Sequence, residues 1–274
     1  MSRRPAWWLT VLAKIWPITW LSAKATRIPI VGKIVEIAAL PLFSGKNLNV
    51  TYIPINEGIT GRGSTPLPIL VVEELIRRSS HRVIINRCTC RDARQRPSHP
   101  IGTGCLLLGE GTKEVDQRIA RHVSREDAIG HLHAAVKAGL IPMTGRVRVD
   151  NFIWGVRDRG RMLTICFCCR CCCTILASGK YLPAGASDSL VRIDGLRIDV
   201  DPDLCTGCGT CVTECFMGAI HLRDGRAHHD EGLCKGCGRC VTVCPHSAVR
   251  IVVENPDAAV SEMVSRMDTL ADYK

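Results

Sequence analysis

The sequence predicts an α+β protein in two parts, a basic N-terminal α/β-type domain followed by a small module organised around clustered cysteines. Three observations lead there. Hydrophobic residues make up 46% of the 274 positions, enough for a buried core of ordinary domain size. Charge then divides the chain. The residues from Asp188 onward hold 9 Lys and Arg against 14 Asp and Glu, a balance of −5, which leaves +15 on the preceding part of a chain with net charge +10. An acidic module on a basic body speaks to partners rather than to fold. Finally, the 17 cysteines are crowded: Cys168-Cys169 and Cys171-Cys172-Cys173 are adjacent, and eight more stand at two- and three-residue gaps. A secreted disulfide framework spaces its cysteines so that pairs can bridge, whereas this density suits thiolates gathered on metal in a reducing cell. The expected divisions are residues 1–45, 46–187, 188–254 and 255–274.

Residues 1–45 mix basic side chains (Arg3, Arg4, Lys14, Lys24, Arg27, Lys33) with Trp7, Trp8, Trp16 and Trp20, four of the 5 tryptophans. Neither apolar run, Trp7 to Trp20 or Ile28 to Leu42, reaches the roughly 20 uncharged residues of a spanning helix. The mixture matches helices lying in a lipid headgroup layer; the competing expectation is a segment packed on the protein's own core or on a partner subunit. Ser2-Arg3-Arg4 and Ala23-Lys24-Ala25 hint at a twin-arginine export signal, but Lys14 and the bulky indoles interrupt the apolar stretch such a signal needs. Export is rejected, and the expected location is cytoplasmic, peripheral on the inner face of the cell membrane.

Asn49 to Ile55 is expected as a short strand. Thr65 caps a helix from Pro66 to about Arg78, with Leu67, Leu70, Val71, Leu75 and Ile76 on its apolar stripe. Val83-Ile84-Ile85, within Arg82 to Asn86, reads as a buried strand that delivers the chain to Cys88 and Cys90. A loop through Pro97, Pro100, Gly102 and Gly104 leads to Cys105. Ser124 opens a helix that Gly139 stops. His131 and His133 on it point to different faces and read as surface or core-edge histidines. Met162 to Phe167 is another strand. Two Asp-Gly turns predict hairpins, Leu190–Ile193 with Leu196–Val200 around Asp194-Gly195, and Ile220–Arg223 with Arg226–His229 around Asp224-Gly225. Asn255-Pro256 opens a terminal helix. Gly61-Arg62-Gly63 and Gly102-Thr103-Gly104 lack the strand–turn–helix context of a nucleotide fingerprint and read as ordinary turns.

Two runs repeat one spacing. Cys205, Cys208, Cys211 and Cys215 form C-x2-C-x2-C-x3-C, and Cys234, Cys237, Cys240 and Cys244 form it again, followed by Pro245. Three cysteines on a tight loop can wrap one corner of a cubane, and small residues (Gly207, Gly209, Gly236, Gly238) let backbone N–H groups approach the sulfurs. A zinc site of four cysteines needs neither a third one two residues later nor a doubled fourth one. Over about fifty residues the region resembles the bacterial-type ferredoxin domain that carries two 4Fe-4S clusters. It departs from that pattern at Phe216, which stands where the second run has Pro245. The resemblance implies that Cys205, Cys208, Cys211 and Cys244 hold one cluster, and Cys234, Cys237, Cys240 and Cys215 the other. It also implies one-electron transfer at low potential.

The other cysteines fall in two places, Cys88, Cys90 and Cys105, then Cys166, Cys168, Cys169, Cys171, Cys172 and Cys173. Both groups follow predicted strands, and neighbouring strands ending at one sheet edge would bring them together. Buried small hydrophobes explain six cysteines in eight positions poorly, because alternate residues of a strand face opposite sides. The expectation is a further site, holding a third iron–sulfur cluster or another metal. Arg87, Arg91, Arg94, Arg96 and Arg170 crowd it, either as a solvated basic surface or to neutralise clusters and grip an anionic partner or substrate; Arg87, Arg91 and Arg170 are the candidates for that grip.

The expected function is therefore an iron–sulfur electron-transfer protein, relaying electrons between redox protein partners in a membrane-associated complex. The alternative is a reductase whose second cysteine site is catalytic and is fed by the ferredoxin-like module. Nucleic acid is not expected as a partner, since few aromatics interleave the basic residues beyond the N-terminus.

Overall fold

Val83-Ile84-Ile85 and Leu106-Leu107-Leu108 offer no polar face, so each must sit inside a sheet covered on both sides. The computed structural model describes residues 4–39, 47–54, 67–94, 98–157, 159–181 and 187–274. In it a six-stranded sheet is built from β1 (Leu48–Tyr52), β2 (Arg82–Ile85), β3 (Leu106–Leu108), β4 (Ala120–His122), β5 (Ile141–Val147) and β6 (Leu163–Cys168). The order is β1-β5-β6-β3-β2-β4, and neighbouring strands run antiparallel throughout. Together with the helices this gives an α+β architecture.

One face of the sheet presents Ile84, Leu106, Leu108, Leu163, Ile165 and Phe167. It is covered by α4 (Leu67–Arg78), through Val71, Val72, Leu75 and Ile76, and by α6 (Arg125–Lys137), through Ala128, Leu132 and Ala135. Ser124 Oγ accepts from the Asp127 amide at 3.0 Å, the expected cap. His131 lies at the core edge, bonded to the Gly104 carbonyl oxygen at 2.9 Å, while exposed His133 meets Glu73 at 2.7 Å. Both histidines have ordinary structural partners. The expected Thr65 and Pro66 helix start, the Gly61-Arg62-Gly63 turn, Arg96 and Pro97 lie outside the described residues.

The opposite face presents Val83, Ile85 and Leu107 to α1 (Trp7–Ile15), through Leu9 and Leu12, and to α7 (Arg148–Trp154), through Ile153 and Trp154. The N-terminal segment thus divides. Helix α1 buries its stripe in the core, and Trp8 Nε1 donates to the Ile153 carbonyl oxygen at 2.8 Å. By contrast α2 (Pro17–Ala25) and α3 (Val31–Ala39) leave Ile18, Leu21, Ile34 and Ile37 more than three-fifths exposed. Among the described residues no helix is long and apolar enough to cross a membrane.

The C-terminal module holds two small sheets. Strands β8 (Ile220–Arg223) and β9 (Arg226–His229) form the hairpin expected around Asp224-Gly225, whose φ values of 50° and 70° suit a tight two-residue turn. The other expected hairpin does not form. Strand β7 (Leu196–Val200) pairs with β10 (Val249–Val253) instead, and Leu190 bridges to Val50 of the sheet. The longer-range partner β10 outweighs the local turn: Gly195 has φ 68°, but Asp194 stays outside the left-handed region that a two-residue return requires.

After the module, α11 (Pro256–Leu270) begins at Asn255, whose Oδ1 accepts from the Ala258 amide at 3.1 Å. It returns to the N-terminal domain and packs on α4 and β5. Met263, Met267 and Tyr273 there are fully buried, each apolar side chain contributing roughly 1.5–3 kcal/mol of transfer free energy. The module and the body therefore share one core, in which Cys211, Cys240, Leu196 and Ile251 join the same cluster as Ile84 and Leu106.

Candidate metal centre

Each of the two repeated runs turns on glycines in the left-handed region. Gly207 and Gly209 have φ 68° and 74°, and Gly236 and Gly238 have φ 68° and 73°. A Cβ on Gly207 would lie 2.0 Å from the Gly225 carbonyl oxygen, so both conformation and space require glycine there. Gly209 and Gly238 then open α9 (Thr210–Glu214) and α10 (Arg239–Thr242), which carry the buried Cys211 and Cys240. The turns bring Cys205, Cys208, Cys211 and Cys244 onto one cavity, so the fourth cysteine comes from the second run. Cys234, Cys237 and Cys240 gather in turn about Cys215 of the first run.

The donor set fits iron–sulfur clusters. Backbone amides donate to sulfur at matching places: Ala219 to Cys215 at 3.2 Å, Ala248 to Cys244 at 3.3 Å, Ala227 to Cys205 at 3.4 Å and Gly236 to Cys234 at 3.3 Å. Burial pushes the thiols of Cys211, Cys234 and Cys240 up, and that of Cys237 up to about 12. A thiolate in such surroundings needs positive charge beside it, which iron supplies.

Phe216 has a role the sequence did not reveal. Its ring meets Tyr52 of β1 edge-on with centroids 5.4 Å apart, and it fills the space over Gly179, where a Cβ would lie 2.4 Å away. The departure from proline is thus a packing contact between the module and the sheet.

The remaining cysteines meet at one end of the sheet, as expected from strands ending at a common edge. Strands β2 and β6 run the same way with β3 between them, so their C-terminal ends and the start of β3 coincide. Cys105 and Cys166 stand opposite each other with sulfurs 3.5 Å apart. Strand alternation then separates the thiols by face. Cys105, Cys166, Cys168 and Cys173 lie on the α1 side with Met143 and Ile141. Cys169 and Cys172 lie on the α4 side. Cys88 and Cys90, on the turn into α5 (Thr89–Asp92), interact with each other, and Cys105 and Cys168 lie within their electrostatic reach. The Cys88 thiol donates to Cys90; burial opposes this, and Thr174 donates too, so Cys90 is held below the ordinary thiol range, at about 6.

On the other face, Cys171 Sγ lies 3.3 Å from Cys169 Sγ and 3.1 Å from Cys172 Sγ. Among the described residues this triad is the one group of three ligating side chains with donor atoms within 4.8 Å of one another, a spacing for a single ion. Cys171 is exposed and, with Cys169, lines a cavity of 490 Å³ at the sheet end that Cys168 from the other face, His99, Cys237 and Arg239 also reach.

The arginines divide as well. Arg91 is 1% exposed, and its guanidinium donates to the Phe167 carbonyl oxygen at 3.0 Å, to the Thr103 carbonyl oxygen, and towards Cys169 Sγ at 3.9 Å. It holds the Cys88 turn against β6. Arg87 pairs with Asp92 at 2.6 Å. Arg170 pairs with Glu214 and donates to the Thr213 carbonyl oxygen at 2.8 Å, joining body to module. Arg94 stacks over Trp20 at 4.0 Å.

Comparison with known families agrees with this geometry. The family model described as a 4Fe-4S dicluster domain matches residues 204–248. No family is assigned to the N-terminal part. A search of curated proteins returned no match.

Proposed function

We propose, from the 4Fe-4S dicluster domain at residues 204–248, that this chain is an electron relay carrying two 4Fe-4S clusters and a further cysteine-ligated site. The observation that carries it is the exchange of the fourth cysteine between the two runs, which leaves four thiols at each of two places. Cys205, Cys208, Cys211 and Cys244 would hold one cluster, and Cys234, Cys237, Cys240 and Cys215 the other. Bound there, the clusters accept and release single electrons. The chain's own groups set the terms: the Ala219, Ala227, Gly236 and Ala248 amides stabilise charge on sulfur, and the shared core keeps water from the buried cysteines.

The donor and acceptor are redox proteins, and the chain works at the inner face of the cell membrane. Support comes from the apolar outer side of α2 and α3, with Lys14, Lys24, Arg27 and Lys33 close by in sequence, which suits an anionic lipid surface. A second reading, a reductase fed by the module, is favoured by exposed Cys171 on the cavity that also reaches Cys237. A reductive titration of the anaerobically loaded chain, followed by EPR, tests the relay. Reduced-cluster signals should grow in at low potential with the broadening of two interacting spins. A spectrum that stays silent at the lowest attainable potential would remove the electron-transfer reading. A spectral change on adding substrate would favour the reductase.

A further inference from the structure

The thiols on the α1 side are arranged as neighbouring pairs rather than about a point. Cys105 and Cys166 form one pair, Cys88 and Cys90 a second, and Cys168 and Cys173 a third. Among the described residues, none of these six belongs to a triad at single-ion spacing. They come from the end of β2, the start of β3 and the end of β6, so one object touching all six must span several ångströms. That is the size of a polynuclear cluster.

Indoles and Thr174 lie over these thiols. Trp16 Nε1 donates to Thr174 Oγ1 at 2.6 Å and Trp20 Nε1 to the same oxygen at 3.2 Å, while Cys90 Sγ lies 3.3 Å from it. Thr174 begins α8 (Thr174–Ser178), which packs against α2. Cys168 and Cys173 are 3% and 7% exposed, in contrast to the open Cys171 of the triad. The indoles that marked residues 1–45 as lipid-facing thus also cover thiols.

The wall nearest the module carries an unpaired donor. Tyr52 is 1% exposed, and among the described residues its hydroxyl has no hydrogen-bond partner, a costly state for a buried polar group. Register places Tyr52 opposite Met143, and Met143 opposite Cys166, on one face of the sheet. Cys173, Cys168 and Cys237 all lie within electrostatic reach of that hydroxyl. Its ring also packs on Phe216, next to Cys215.

We propose that Cys88, Cys90, Cys105, Cys166, Cys168 and Cys173 hold one polynuclear iron–sulfur cluster, and that Tyr52 donates a hydrogen bond to its sulfur. This places Tyr52 between that cluster and the module's Cys215–Cys237 site, the contact through which the two exchange electrons. Exchange is one electron out of the module and one into the six-thiol cluster, with no bond made or broken. The inference rests on the reading that a further cluster exists, and it assigns that cluster to six thiols and not to the Cys169, Cys171, Cys172 triad. Tyr52 is a positioning and tuning residue.

The test uses the full chain loaded anaerobically with ferrous iron and sulfide. Wild type should hold more iron than the module's two clusters account for. C105S/C166S should lose that excess and keep the ferredoxin-type EPR signal, whereas C169S/C171S/C172S should retain it. The reverse pattern overturns the six-thiol assignment and leaves the further-site reading standing; wild type without excess iron overturns both. Y52F folds without losing ring packing and should keep the full iron content while the midpoint potential of the additional signal falls, since hydrogen bonds to sulfur stabilise the reduced state. An unchanged midpoint overturns the role of Tyr52 even if the cysteine variants fail to fold.

Discussion

Gly104 shows how one residue can set the place of a thiol. A Cβ there would lie 1.8 Å from the Ile85 carbonyl oxygen, and the Ile85 amide donates to the Cys105 carbonyl oxygen at 2.9 Å. The peptide before Cys105 therefore lies flat on β2, and only glycine permits it. We expect Gly104→Ala to destabilise the chain by about 1–3 kcal/mol, as overpacking does, while Gly102→Ala, where a Cβ meets nothing within 4 Å, stays within about 0.5 kcal/mol. Chemical denaturation of the two variants side by side checks this; equal midpoints would contradict it. Single residues also mark where the sequence was mute. The doubled cysteine spacing marked eight thiols, and the resemblance it carries implied the exchange of the fourth cysteine. Nothing in the spacing announced that Arg91 would be buried with its guanidinium spent on two carbonyls, or that Phe216 would pack against a tyrosine 164 positions earlier.

At the scale of elements, legibility followed length and purity of pattern. Strand β2 and strand β6 are apolar runs and were expected nearly at their observed bounds. Strand β3, with three residues, is too short to carry a period. Strand β5 was hidden because it contains Pro142 and Gly145, residues that argue against an inner strand. The structure accommodates both: the Pro142 carbonyl oxygen accepts from the Ile53 amide at 2.8 Å, and at Gly145 a Cβ would lie 1.9 Å from the Asn49 carbonyl oxygen. The failed Asp194-Gly195 hairpin is a case of turn chemistry outvoted by a longer-range partner, β10. The N-terminal helices yield a prediction of their own. Ile34 and Ile37 are 64% and 71% exposed on α3. We expect the chain to sediment with phosphatidylserine vesicles and not with phosphatidylcholine ones, each basic residue near the surface contributing roughly 1 kcal/mol. I34D/I37D should release it while leaving the iron content unchanged. Binding that ignores both lipid charge and this variant would assign the apolar side to a protein partner.

For the molecule as a whole, the charge division marked in the sequence does not coincide with a gap in the structure. Glu214 of the acidic module pairs with Arg170 of the basic body and, at 3.0 Å, with Arg239 beside the second cysteine run. Helix α11 then carries the chain back across the sheet, where Arg266 donates to Thr51 Oγ1 at 2.6 Å. Clusters bound in the module would therefore stabilise the sheet as well, since the buried thiols of the module belong to the same core. The relay depends on the doubled cysteine run holding iron and sulfide. The most direct measurement is the iron and acid-labile sulfide content of the anaerobically reconstituted chain. The account predicts at least about eight of each per chain, the content of two 4Fe-4S clusters. A chain that takes up zinc at the same cysteines and contains no sulfide would contradict it.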